Sequence, residues 1–475
     1  VNQFRLAAHR AADLAVDHLA GVNDGPVWQP VDEVSRSWLS SQELPESGQP
    51  MESLLDDVRE HVLKHPMGNG HRRFFGWVNP PPAPAGVLLE SLAAALNPSC
   101  AGGDHAGPLL ERTVVRWLAE LIGFPHSAGG GLLTSGASIA TVICLAAARQ
   151  RASERAGWDA RTDGLSGRPA MVVYASTEGH SCLRKAAELL GIGTRHVRTV
   201  PVDGEFRMDL DALRAMIASD RESGLVPFCV TASAGTVNTG AIDPLNDIAD
   251  IAAANDLWFH IDGAYGALGV LSPESAPHYS GMDRADSLAL DPHKWLGVPV
   301  GCGCALFRDP AAPRAAFSLV PSYLRDDNVD EIGWFAEYGP EQIRPFRALR
   351  TWGTLSALGR TGVVDVVAQT TWLARTLAGL ISAAPDFELV APVTTSIVAF
   401  RYRASDDVNG AISLAVQRRG LVFLTGTRLS GREVLRACFL NPATTYDDLV
   451  LLLDEIRAVG GPATRTATGP VIPDD

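Results

Sequence analysis

At 475 residues the chain is too long for one ordinary core, which predicts two domains, or one large and one small. Its 46% hydrophobic and 20% charged residues are globular proportions, neither disordered nor membrane-like. A net charge of −14 repels nucleic acid and anionic lipid, so neither is an expected partner. Phosphate is not excluded, because a helix N-terminus binds it against the global field.

Seven cysteines without a CxxC pair predict a reducing compartment. No run approaches the ~18 apolar residues of a membrane span, and the first twenty residues lack the apolar core of a signal peptide. The cytoplasm is the expected location. Cys302 and Cys304 lie one residue apart in a strand-like run and read as packing, so no metal site is expected.

The N-terminal stretch reads as helical pieces over 4–20 and 51–64, with too little apolar surface to fold alone. Residues 68–84, rich in Gly, Pro and aromatics, read as an ordered loop, and 109–122 as a helix. Short apolar strands follow at 171–175, 226–232, 258–262 and 287–291, alternating with helices at 181–190 and 244–255. That alternation predicts a mainly parallel sheet covered by helices, with ligands beyond the carboxyl ends of its strands. Residues 322–340 are charged and turn-rich and read as a mobile loop. A helix over 347–378, strands near 387–390, 397–402 and 434–441, and a helix from Thr445 complete the chain, with a frayed tail from Gly460.

Four features fall at these strand ends. Thr134-Ser135-Gly136-Ala137-Ser138 opens a helix, where free N–H groups and hydroxyls suit a phosphate; many such turns are only helix starts. His180 stands between a strand and a helix, where a capping role is the ordinary alternative. Asp262 closes an apolar strand and calls for a buried cationic partner, unless it merely caps a helix. Lys294, in Asp291-Pro292-His293-Lys294-Trp295, closes another; beside Trp295 it is expected to be partly desolvated, which favours the neutral amine needed for a Schiff base. Alone it would read as a surface lysine. Together the four match what pyridoxal 5′-phosphate (PLP) requires: a phosphate site, a stacking group, a carboxylate at the pyridine nitrogen and a lysine.

At these residues the chain resembles the group II PLP-dependent decarboxylases, which include aromatic-L-amino-acid, glutamate and diaminobutyrate decarboxylases. Asp291-Pro292-His293-Lys294-Trp295 is similar to their lysine signature. Phe259-His260-Ile261-Asp262-Gly263-Ala264-Tyr265 is similar to their aspartate strand, and Phe74-Phe75-Gly76-Trp77 to their substrate-loop aromatics. The resemblance continues through Ser233-Ala234-Gly235-Thr236 and Phe346–Trp352 to Asn441. It implies an α/β, fold type I (aspartate aminotransferase-like) architecture, with a seven-stranded, mostly parallel sheet in a large domain and a small C-terminal α+β domain. The implied division is a helical arm over 1–75 packing on a dimer partner, a PLP domain over 76–320, a mobile catalytic loop over 321–345 and a small domain over 346–475. An obligate homodimer with active sites at its interface is implied too.

By position, the resemblance makes Lys294 the Schiff-base lysine and Asp262 the partner of the pyridine nitrogen. His180 stacks on the ring, Ala264 packs on its other face, and Ser233 lies near it. Gly136, Ala137, Ser138 and His293 surround the phosphate, and Phe75 and Trp77 line the substrate pocket. Two departures stand out: Asp291 replaces the asparagine usual in the aromatic-acid enzymes, and Pro80 replaces a polar residue. Arg325, Arg344 and Arg347 are candidates to meet an acidic substrate.

In this family a loop tyrosine protonates the substrate Cα after CO2 leaves. Counting back from Phe346-Arg347 puts Phe335 at that position, and a phenyl ring has no proton to give. The resemblance then implies decarboxylation coupled to oxidative deamination, yielding aldehyde, CO2, ammonia and H2O2 from O2. A register shifted to Tyr338 would restore simple decarboxylation to the amine. β-Elimination from an S-cysteine conjugate needs no such donor and is a third outcome. A non-catalytic PLP-fold binding protein would be expected to have lost Lys294 or Asp262. The Ala- and Arg-rich composition suggests secondary metabolism.

Overall fold

Seven strands make the main sheet: β1 (Gly131–Thr134), β2 (Met171–Ser176), β3 (Val197–Val200), β4 (Val226–Ser233), β5 (Trp258–Asp262), β6 (Ser287–Leu290) and β7 (Gly303–Phe307). The computed structural model describes residues 2–127, 129–319 and 333–467. The order across the sheet is β1-β7-β6-β5-β4-β2-β3. β2 through β6 pair in parallel, while β7 runs antiparallel to both β1 and β6. Every residue of β1, β2, β6 and β7 is buried. Such strands show continuous apolar runs rather than alternation, and the sequence pattern announces β2 and β6 in that way.

The helix Ala137–Arg155 packs across β4 to β7. Its inward face is mostly alanine (Ala140, Ala146, Ala147, Ala148), and short side chains let its axis approach the sheet closely. The fold-class expectation holds: the sheet is seven-stranded and mostly parallel, and a smaller sheet follows.

The chain divides into two compact units, one of residues 82–375 with 391–398, the other of 1–81, 376–390 and 399–475. The first holds the seven-stranded sheet. The smaller sheet, ordered β10-β11-β9-β8, uses β8 (Phe387–Leu389), β9 (Ile397–Tyr402), β10 (Thr425–Leu429) and β11 (Arg432–Cys438). β10 alternates buried and exposed residues in a polar stretch, and periodicity alone had not marked it as a strand. The long helix Arg347–Ala383 is broken at Gly359, whose φ of 65° takes it out of helical space. The terminal helix starts where Asp448 accepts bonds from the N–H and hydroxyl of Thr445, and it runs to Ala467 instead of fraying from Gly460.

No helix among the described residues is long and apolar enough to cross a membrane.

Candidate active site

β6 ends at Leu290, and the turn after it places three polar side chains in a few ångströms. Asp291 is buried; its Oδ1 accepts the N–H of Ala137 at 2.6 Å, and its Oδ2 lies 3.1 Å from Lys294 Nζ. His293 Nδ1 donates to the carbonyl of Cys302 at 2.6 Å, leaving Nε2 3.8 Å from Asp291 Oδ2. Ala137 is the first residue of its helix, so Asp291 ties the end of β6 to a helix N-terminus. The turn before that helix is held by Thr134, whose hydroxyl donates to the carbonyl of Gly136 at 3.0 Å. β7 can pass behind only because residue 303 is glycine; a Cβ there would come within 2.4 Å of Gly136 C. Gly136 is half-buried, while Ser135 and Ser138 are exposed on the open side.

Trp295, next to the lysine in sequence, is anchored in the core. Its ring is buried, stacked on Tyr265 at 5.2 Å, and its indole N–H donates to Thr370 at 2.9 Å. The anchored indole fixes the turn. Lys294 keeps 23% of its side chain exposed, with Asp291 as ionic partner.

One strand over, Asp262 closes β5. Its Oδ1 accepts the N–H of Ala264 at 3.1 Å, and Oδ2 lies 4.0 Å from Cys182 Sγ. Among the described residues no lysine, arginine or histidine forms an ion pair with it, so the expected cationic partner is not one of its own side chains. A half-buried carboxylate without a cation suits a protonated heterocyclic nitrogen. Burial, reinforced by the Asp262 charge, pushes the Cys182 thiol up to about 12, so it stays protonated there. His180 is exposed, and its Nδ1 accepts the N–H of Cys182 at 3.2 Å, which places the proton of the neutral ring on Nε2. Ala264 is buried, and its methyl is the smallest side chain that still offers an apolar contact.

Ser233, at the end of β4, is held by a residue that sequence reasoning passed over. Asp243 is fully buried and accepts the N–H groups of Ser233 and Met208, both at 2.7 Å. Burial pushes its carboxyl up to about 6, against the pull of those two amides. His260, two residues before Asp262, bonds Ser287 Oγ at 2.9 Å, and the same oxygen accepts from the Trp258 indole at 2.8 Å. Burial pushes His260 down to about 4, so it is neutral.

Residues 34–403 match the model of the pyridoxal-dependent decarboxylase conserved domain. The chain belongs to that family. An aromatic-L-amino-acid decarboxylase of Bacillus atrophaeus is 32% identical over 470 residues, 96% of this chain and 95% of the relative. A phenylacetaldehyde synthase of Arabidopsis thaliana is 29% identical, over 93% of this chain and 92% of that one. Among solved structures, Catharanthus roseus tryptophan decarboxylase in complex with L-tryptophan superposes with a TM-score of 0.87 at 26% identity, covering 97% and 98% of the two chains. PLP is the cofactor of this pyridoxal-dependent decarboxylase. An amine, a cation-free carboxylate and a helix N-terminus on adjoining strand ends have the chemistry to hold it.

Other expected residues of the decarboxylase lie elsewhere. Phe335 opens a short 3-10 turn, Phe335–Glu337, and is only 4% exposed, with the Arg344 guanidinium 4.9 Å above its ring. Tyr338 is 2% exposed in the same apolar cluster as Leu132 and Ile143. Both side chains are buried in the core of their own unit. Two contacts with distant sequence hold the turn: Trp334 lies against Gly102, where a Cβ would clash, and Ala336 N–H donates to the Ala101 carbonyl at 3.0 Å. The rest of the expected loop, and Arg325 with it, falls outside the described residues. Arg344 and Arg347 are not free for an acidic substrate either. Arg344 is buried against Glu111 at 2.6 Å, and Arg347 makes a two-pronged pair with Glu341 at 2.9 and 3.0 Å.

Phe75 and Trp77 belong to the smaller unit. Phe75 is buried on Phe439 at 5.1 Å. Trp77 is half exposed, and its φ of 45° is unusual for a bulky residue; Arg436 bonds its carbonyl at 2.7 Å. Strain of this kind persists where surrounding structure enforces it, often at functional sites.

Proposed function

We propose that this enzyme removes the α-carboxyl group of an L-amino acid as CO2 and releases the amine. The observation carrying the proposal is the meeting of Lys294, Asp291 and the Ala137 helix N-terminus after β6, one strand from a carboxylate, Asp262, that no cation neutralises. PLP bound there supplies an electron sink for the pair left at Cα when CO2 departs. In this proposal Lys294 Nζ holds the cofactor covalently, and Asp262 accepts the pyridine N–H and keeps that proton in place. Gly136, Ala137 and Ser138, with His293, surround the phosphate; the Ala137 amide stays with Asp291, and the Ser138 hydroxyl is among the groups that bind it. The exposed His180 ring covers one face of the cofactor, Ala264 gives the other a flat apolar contact, and Ser233 lies at its rim.

Aldehyde release, the outcome expected from Phe335, is the second reading; the burial of that ring is what favours the amine. Of the tyrosines between residues 318 and 345, Tyr338 is buried and Tyr323 lies outside the described residues. Tyr323 is therefore the sequence candidate for the group that returns a proton to Cα. Exposed apolar side chains on the helices Asn2–Gly21 (Phe4, Leu6) and Pro84–Leu96 (Leu88, Leu92, Leu96) support a homodimer.

The test is to supply L-amino acids, aromatic ones first, and to measure CO2, amine, aldehyde, O2 and H2O2 together. Equal amounts of CO2 and amine with no O2 uptake are expected. The competing outcome consumes one O2 and one water per substrate and releases aldehyde, CO2, ammonia and H2O2; finding it in the wild type would overturn amine release. Tyr323→Phe should move the product towards that second set.

A further inference from the structure

β1 lies at the end of the main sheet, with β7 on one side and, among the described residues, no strand on the other. The backbone of Leu133 on that outer edge is nonetheless buried and paired. Glu111 Oε1, from the helix Ala106–Ile122, accepts the Leu133 N–H at 2.8 Å, and Arg344 Nη2 donates to the Leu133 carbonyl. The two side chains pair with each other at 2.6 Å, and each is 1% exposed. A carboxylate and a guanidinium thus do for β1 what a neighbouring strand does elsewhere in the sheet. Arg344 is held in turn by the Phe335 ring below it and by its own carbonyl, which accepts the Cys100 N–H at 2.7 Å.

A buried ion pair is a poor source of net stability, since desolvation offsets most of the attraction. What it supplies is direction. One residue beyond Leu133 comes Thr134, whose hydroxyl sets the Gly136 turn, and then the helix N-terminus at Ala137. The opposite side of that turn is limited by Gly303 and by Asp291. Without the pair, β1 would be anchored on one edge only, at the point where the chain turns towards the phosphate.

We propose that Glu111 and Arg344 are positioning residues that aim the phosphate cradle by completing the free edge of β1. This rests on the assignment of Gly136, Ala137 and Ser138 as that cradle. The test is a titration of the full-length protein, stripped of cofactor, with PLP and separately with pyridoxal, which lacks the phosphate; binding is read from the visible absorbance. Glu111→Gln is expected to weaken PLP about tenfold, the ratio that ~1.4 kcal/mol produces, and to leave pyridoxal unchanged. Glu111→Leu with Arg344→Met leaves no buried charge unpaired and should fold while losing the same preference for PLP. A variant that weakens both ligands equally, or neither, overturns the proposal. So does unfolding of both variants, since the pair would then hold the fold rather than the cradle. Ser138→Ala run alongside separates the two assignments: no loss of preference there means the cradle itself is misplaced, and the clamp falls with it. A loss there but not in Glu111→Gln overturns the clamp alone.

Discussion

The loops after β4 and β6 each bring a buried aspartate to the same end of the sheet, and the two carboxylates are satisfied in opposite ways. Asp243 meets only backbone amides, those of Ser233 and Met208, and its carboxyl is pushed up to about 6. Asp291 meets one amide, a lysine and the edge of a histidine. The first closes a loop on itself. The second connects a strand end, a helix N-terminus and an amine. Burial is common to both, so the cation beside Asp291 distinguishes the site from scaffolding.

Four changes break or sharpen that contrast. Lys294→Ala makes Asp291 resemble Asp243, with no ammonium beside it. Decarboxylation should fall by roughly 10³-fold or more, and the visible cofactor band that borohydride reduces onto the protein should be lost. If activity persists, another amine carries the chemistry.

Asp243→Asn should cost about 1–3 kcal/mol of stability, because an amide cannot accept both backbone bonds as well as a carboxylate does. Chemical unfolding at several pH values adds a sign. The folded-state value lies above the unfolded one, so the folded protein binds the extra proton. Stability contributed by this group is therefore present below about 4 and lost as pH rises through about 6. The difference between wild type and variant should follow that window; a flat difference would mean Asp243 is not titrating there.

The sequence made some of this plain and hid the rest for reasons that can be located. Asp262 and Lys294 end strands whose apolar runs are continuous, so their place at the sheet's carboxyl edge follows from the pattern. Asp243 follows no strand directly; it returns to Ser233 only because the loop folds back, and spacing carries no trace of that. Trp295 reads as a wall beside the lysine, yet its direction depends on Tyr265 and Thr370, both remote in sequence. Phe335 and Tyr338 sit in a charged stretch and look like loop residues. Their burial depends on Gly102, Leu132 and Ile143, some two hundred residues earlier. The polar β10 strand was hidden for a similar reason, being defined by its neighbour β11 rather than by its own composition.

Asp291→Asn asks how much of the contrast is charge. Asparagine can still accept the Ala137 N–H, so the fold should hold. Removing a negative charge beside the proposed phosphate site should tighten PLP severalfold in a titration. Weaker PLP binding would mean that the Asp291–Lys294 pair organises the site. Phe335→Tyr is the smallest change. A hydroxyl added under Arg344 should cost about 1–3 kcal/mol in thermal or chemical unfolding and leave the amine-to-aldehyde ratio untouched. A shift in product would return Phe335 to the reaction.

All seven cysteines are buried, and none is in a disulfide. Six belong to the unit built on the large sheet; Cys438 alone belongs to the other. A thiol reagent therefore cannot label the folded protein without an opening event, and each modified peptide records which unit opened. Labelling at Cys438 timed against the other six would show whether the two units unfold together or in sequence, with no engineered probe.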